Sequence, residues 1–273
     1  MPRRLFLLLL TALSLLFSDP AQEDPVTLPI LMYHDVGDVR PGKDRVTPEE
    51  LRADLLWLRE NGYVPVTMAR VIAYVEDGAP LPDKPIVLSF DDGCLSAYDR
   101  ALPLLRELGM PMVLSVIAGS ADEFSAYPPG KVRYAHANWT QLREMAGSGL
   151  TELQNHSYRL HRASEGGCDR HPGESRGAYG ERLAADVLLA QERIWTETGQ
   201  APTVFTYPYG RYSEESEELL QELGFRATLT CDFGVNRLSR DPDCLFALKR
   251  ICRSHGAELS ALLREAYDTE KRR

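Results

Sequence analysis

No two of the five cysteines, Cys94, Cys168, Cys231, Cys244 and Cys252, stand as a CxxC pair. That absence argues against a zinc knuckle. An odd count leaves at least one thiol outside any intramolecular pairing; Cys231, Cys244 and Cys252 lie near one another in sequence, so a disulfide among them stays open. Basic charge is in deficit, with 31 Lys and Arg against 40 Asp and Glu and a net charge of -9 at pH 7. A surface of that sign repels a phosphate backbone, so nucleic acid is not an expected partner. No fixed-period repeat and no long linker divides the chain. No apolar run reaches the roughly 20 residues that a spanning helix needs.

What is present is ordinary globular composition, 44% hydrophobic and 26% charged over 273 residues. That length can bury a substantial core. At the N-terminus, Arg3 and Arg4 precede an apolar run from Leu5 to Phe17, broken only by Thr11 and Ser14. A short basic segment before such a run is a secretory signal pattern. Residues 1–21 are therefore expected to be a signal peptide or an N-terminal anchor, because no clean small-x-small cleavage site follows. The expected location is secreted or cell envelope, with membrane or cell-surface association through this segment in the anchored case.

Beyond it, strand and helix patterns alternate. Strands are expected over Leu28 to Tyr33, Ile86 to Phe90, Met112 to Ile117, Glu152 to Asn155, Thr203 to Thr206, Arg226 to Thr230 and Leu245 to Ile251. The first helix has clear start signals: Thr47 as cap, Pro48 in the first turn, and Glu50 three residues after the cap. Its apolar stripe is Leu51, Leu55 and Leu58, and Gly62 is its stop. Further helices are expected over Leu95 to Leu108, where Pro103 interrupts, then Trp139 to Ala146, Tyr179 to Glu197, Glu214 to Leu223 and Glu258 to Tyr267. About seven such units imply an α/β fold with parallel strands in a barrel-like sheet. In such folds reactive residues gather just after the strands.

Three motifs fall at those places. Ser89-Phe90-Asp91-Asp92-Gly93 follows a buried strand. Adjacent side chains at a strand end diverge, so one Asp can bind a metal while the other takes a proton; either could instead cap the next helix. His156 and His161 follow another strand, five residues apart. That spacing suits no single helix face, yet a loop can converge both on one ion and, with a carboxylate, leave a coordination place for water. Tyr207-Pro208-Tyr209-Gly210 forms a rigid turn that could present Tyr209 and its amide to a sugar or an oxyanion. His34 and His255 follow the first and last strands and are candidate general acids.

Taken together, these motifs resemble the polysaccharide deacetylase family, the NodB-homology proteins of carbohydrate esterase family four, from about Leu28 to Ile251. The resemblance implies a distorted (β/α)7 barrel, with residues 28–273 as a polysaccharide deacetylase catalytic domain. It implies Asp92, His156 and His161 as ligands of a divalent metal, zinc above all with cobalt or nickel as alternatives, and Asp91 as general base. The five-residue histidine spacing and the opening Pro29-Ile30-Leu31-Met32-Tyr33-His34 resemble the subgroup acting on exported poly-N-acetylglucosamine, which implies an N-acetylated polysaccharide as partner and His34 as an assisting acid. Tyr207, Pro208 and Tyr209 are the implied substrate-binding residues, and Trp139 a further stacking candidate. The wider family carries an Arg two residues before the Pro of the third motif, where it orients the base; here Thr206 stands there. Two rivals remain at this point: a catalytically weak carbohydrate-binding relative, and a metal amidohydrolase for another amide.

Overall fold

The structure is a computed structural model that describes residues 25–37, 44–127, 135–162 and 167–272. The expected leader, residues 1–21, lies outside them. No helix among the described residues is long and apolar enough to cross a membrane.

Seven parallel strands make the centre: β1 (Ile30–Tyr33), β2 (Pro85–Phe90), β3 (Met112–Val116), β4 (Thr151–Asn155), β5 (Val204–Thr206), β6 (Ala227–Phe233) and β7 (Leu248–Cys252). Each pairs with the next in that order. β7 then pairs back on β1, with Ile251 opposite Leu31, and the sheet closes. This is the expected (β/α)7 barrel. All six residues of β2 are buried, as a strand covered on both faces demands.

Side chains alternate between the two faces. Leu31, Tyr33, Ile86, Leu88, Phe90, Leu114 and Leu153 pack outward against the helices. Those helices are α1 (Pro48–Glu60), α2 (Met68–Asp77), α3 (Leu102–Leu108), α4 (Ala118–Ala126), α5 (Trp139–Gly147), α6 (Arg176–Thr198), α7 (Glu214–Glu222) and α8 (Leu259–Lys271). Leu51, Leu55 and Leu58 of α1 are fully buried, each worth about 1.5–3 kcal/mol of burial. Ile30, Val87, Val113, Val204 and Leu229 instead pack with Met68, Val71, Ile72 and Val75 of α2. That helix sits where the strands begin, its Ala69 amide donating to Glu152 Oε2 of β4 at 3.0 Å.

α1 starts as expected, on a Thr47–Glu50 capping box with Pro48 in its first turn. The expected continuous helix from Leu95 is corrected: a π-helical turn over Ala97–Ala101 precedes α3, and the Leu102 amide donates to the Ala97 carbonyl. Pro103 has no amide to give the α pattern at that point, so the chain takes a wider turn. Helices α2 and α4 were not expected. Outside the barrel, Val26–Leu28 pairs antiparallel with Asn236–Leu238. All five cysteines are free thiols.

Candidate metal centre

The three motifs meet at the carboxyl end of the barrel. Asp92 follows β2, His156 follows β4, and His161 lies five residues further along the same loop. Asp92 Oδ1 is 3.4 Å from His156 Nε2 and 3.3 Å from His161 Nε2. All three ligand atoms lie within 4.8 Å of one another.

Local conformation builds this convergence. Four non-glycine residues among those described have positive φ, and three belong to these motifs: Asp92 at 68°, Ser157 at 72° and Tyr209 at 59°. Such backbone is held only where the surroundings over-determine it. Here the surroundings are visible. His136 Nδ1 donates to the Asp92 carbonyl at 2.7 Å. Asn155 Oδ1 accepts from the Ser157 amide at 2.9 Å. Gly210, at φ 65°, lets the third motif press on β6, since a Cβ there would meet Cys231 Cβ at 2.5 Å.

The donor set fits a divalent cation. His156 Nδ1 donates to the Thr206 carbonyl at 2.7 Å, so in the neutral ring the Nε2 lone pair faces Asp92. Asp92 Oδ1 is buried and accepts no hydrogen bond, although two imidazole nitrogens face it. Ligands about 2.0–2.1 Å from a tetrahedral zinc lie about 3.3–3.4 Å apart, which matches these separations. Burial opposes charge on Asp92, yet His156 and His161 outweigh it and hold the carboxyl below its usual range. Burial and the neighbouring His156 push His161 down to about 4, which favours the neutral ring that binds metal.

Beside this set, Asp91 is buried and receives a hydrogen bond from Arg250 Nη1 on Oδ1 at 2.8 Å. Burial alone would favour its neutral form; the Arg250 guanidinium, with His156 and His34, holds it ionised. Arg250 Nε also donates to the Thr230 carbonyl at 2.7 Å. Thr206 stands where the wider family has its Arg, and the guanidinium beside Asp91 comes from β7 instead of β5. Thr206 pairs its hydroxyl with Ser115 at 2.7 Å. In the strand Leu-Lys-Arg-Ile-Cys, Arg250 is the charged residue that is buried, while Lys249 beside it is only partly so.

His34 Nε2 lies 3.9 Å from Asp91 Oδ2, and its Nδ1 is buried without a hydrogen-bond partner. The preceding Tyr33 is pinned through its hydroxyl to Asp54 at 3.0 Å, and Arg253 Nε holds the same Asp54 oxygen at 2.7 Å. His255 is tied elsewhere, to Glu50 Oε2 at 2.9 Å in the cap of α1. Of the third motif, Tyr209 is 44% exposed and its ring centroid lies 4.4 Å from that of His161. Tyr207 and Pro208 are corrected as contact residues: both are buried, Tyr207 against Phe205 and Tyr212. Trp139 is also buried, its Nε1 donating to Asp122 at 2.7 Å, so it offers no stacking face. Sequence reasoning missed His136, which sits in a stretch with no periodic signal.

A family model described as polysaccharide deacetylase matches residues 78–228. The chain is 32% identical over 232 residues to a poly-beta-1,6-N-acetyl-D-glucosamine N-deacetylase of Escherichia coli (strain K12), covering 77% of this chain and 34% of that protein. The chain thus spans about a third of the length of the Escherichia coli relatives it matches. The BpsB deacetylase domain of Bordetella bronchiseptica is 27% identical with a TM-score of 0.68, covering 86% of this chain and 99% of that one. The deacetylase PplD of Streptococcus pyogenes, 20% identical with a TM-score of 0.72, covers 89% and 99%; at that identity the likeness is one of fold.

Proposed function

The chain belongs to the polysaccharide deacetylase family, and we propose that it is an exported, metal-dependent hydrolase that removes N-acetyl groups from an N-acetylglucosamine-containing polysaccharide, releasing acetate. The observation that carries this reading is the convergence of Asp92, His156 and His161 next to the Asp91–Arg250 pair. The relatives named for poly-beta-1,6-N-acetyl-D-glucosamine support that polymer as substrate. The basic-then-apolar start of the sequence supports export.

Asp92, His156 and His161 would hold the cation, with zinc first and cobalt or nickel as alternatives. When bound, such an ion would lower the pKa of a water to about 7 and polarise a carbonyl. Asp91, kept ionised by Arg250, accepts the proton of the attacking water. His34, within reach of Asp91, delivers a proton to the departing amine. The backbone amide of Tyr209 is the candidate donor to the oxyanion. The amide C–N bond breaks, water supplies the new oxygen, and acetate and a glucosamine unit leave.

The test is acetate release from β-1,6-linked N-acetylglucosamine oligomers, chitooligosaccharides and peptidoglycan, after chelation and after adding back zinc, cobalt or nickel. Metal-restored release from the β-1,6 oligomers is expected. No release from any of the three with any metal would overturn the reading.

A further inference from the structure

Beside His161 the surface opens into a groove of about 520 Å³, within the roughly 300–1,000 Å³ of small-ligand sites. Its walls come from α4 and the loop after β4, including Glu123, Tyr127, Tyr158, Arg159 and Arg162. The loop is firmly held. Gly119 donates to the Tyr158 carbonyl at 3.1 Å, and a Cβ there would lie 2.4 Å from that oxygen. Asp186 accepts from the Tyr158 and Arg159 amides at 2.7 and 2.8 Å. The Tyr158 hydroxyl donates to Asp122 at 3.0 Å.

The charges on these walls do not cancel. Asp122 is committed to Arg193, to the Trp139 indole and to Tyr158. Arg159 lies over the Tyr158 ring, 5.2 Å from its centroid. Arg159 feels the Asp186 carboxylate across the loop, but neither it nor Arg162 is held in a close ion pair with a described carboxylate. Glu123 is the remaining carboxylate among the described lining residues. Among the described lining residues, two guanidinium groups, Arg159 and Arg162, thus stand against one carboxylate not already committed, Glu123, in a protein whose net charge is -9.

We infer that this groove seats the sugar next to the one undergoing deacetylation, and that Arg159 and Arg162 make it select an acetamido sugar over an amino sugar there. An acetamido carbonyl accepts from a guanidinium, whereas an ammonium brings a third positive charge to the same walls. Tyr158 and the 78% exposed Tyr127 offer apolar faces to a ring. The inference rests on the deacetylase reading and adds a consequence. Each turnover converts a neutral sugar into a cationic one, so a freshly deacetylated neighbour is turned away and the free amines along the product become spaced.

The test is calorimetric binding of a β-1,6-linked N-acetylglucosamine pentamer and of the fully deacetylated pentamer to the zinc-treated full chain. It is run at low salt and about pH 6, below the usual range of amines. The acetylated pentamer is expected to bind about tenfold more tightly, with the ratio shrinking as salt screens the walls. Arg159→Gln/Arg162→Gln should cut the ratio to about threefold or less, and Glu123→Gln should widen it. Equal binding of both pentamers, binding of neither, or a ratio untouched by the arginine changes would overturn the inference. Loss of acetate release with the binding ratio intact would instead count against the deacetylase reading alone.

Discussion

Arg250 Nη1 donates to Asp91 Oδ1 at 2.8 Å, and neither side chain reaches solvent, at 0% and 2% exposure. A carboxylate sealed in this way keeps its charge only because a cation is sealed in with it. The pair joins β7 to the end of β2, so the candidate base depends on a strand far away in sequence.

Arg250→Met should leave Asp91 buried and unpaired. A loss of about 3–5 kcal/mol is expected for such a change, read as a lower midpoint in urea. Asp91 should then hold its proton to higher pH, and the acid limb of the pH–rate profile should move upward. Adding Asp91→Asn should recover much of the stability. A single variant as stable as the parent would show that the pair is not needed.

Asp92→Ala or His156→Ala should abolish tight metal binding, measured as metal per chain after gel filtration. Asp91→Asn should keep the metal and lose turnover. The separation follows from geometry: Asp92 faces both imidazole Nε2 atoms, while Asp91 faces Arg250. Full metal occupancy in Asp92→Ala would remove it from the ligand set.

His34→Gln should lower kcat by about 10²–10⁴, the usual contribution of a positioned acid, with metal content unchanged. Because His34 lies against Asp91 and is no member of the ligand triad, a fall in metal content would reassign it.

Glu50, in the first turn of α1, offers a pH-dependent contribution. Burial opposes its ionisation, but the Gly256 amide, His255 and the Thr47 amide lower its carboxyl from 4.5 to about 2. A depressed carboxyl stabilises the fold above its unfolded value, and that contribution is lost as pH falls from 4.5 toward 2. Glu50→Gln should therefore show a shallower acid loss than the parent over that window in urea midpoints. Parallel curves would deny the linkage.

Gly210→Ala should cost about 1–3 kcal/mol, because φ is 65° and the added carbon would lie 2.5 Å from Cys231 Cβ. It should also lower kcat by displacing Tyr209. Gly180→Ala is the opposite case: it lies within α6 with nothing within 4 Å, and a gain of about 0.5–1 kcal/mol in unfolding free energy is expected.

Much of the site was legible because its parts are local. The Asp91-Asp92 pair, His156 and the Tyr209 turn each sit directly after a strand, and their order along the chain was enough to bring them to one end of a barrel. Arg250 was not legible as a partner of Asp91, since 159 residues separate them and only the β7–β1–β2 order makes them neighbours. His136 reaches the Asp92 carbonyl over 44 residues, again with nothing local to mark it. α4 was missed because only Ala118 and Ala121 of its residues are buried, which leaves no apolar stripe. α2 is different: Met68, Val71, Ile72 and Val75 do repeat at the helical period, between the Thr67 cap and Gly78. Tyr207 was misread because position in a motif does not say which face a side chain takes.

The manner in which the barrel closes bears on how the molecule comes into being. β1 is bounded on one edge by β2 and on the other by β7, with Leu31 opposite both Leu88 and Ile251. During synthesis the first edge can be satisfied early. The second must wait until β7, Leu248–Cys252, has emerged, leaving a row of unpaired amides and carbonyls through that interval. Parallel pairing at such separation is slow to form, so the nascent chain is most vulnerable to sticking to its neighbours just before its last strand arrives.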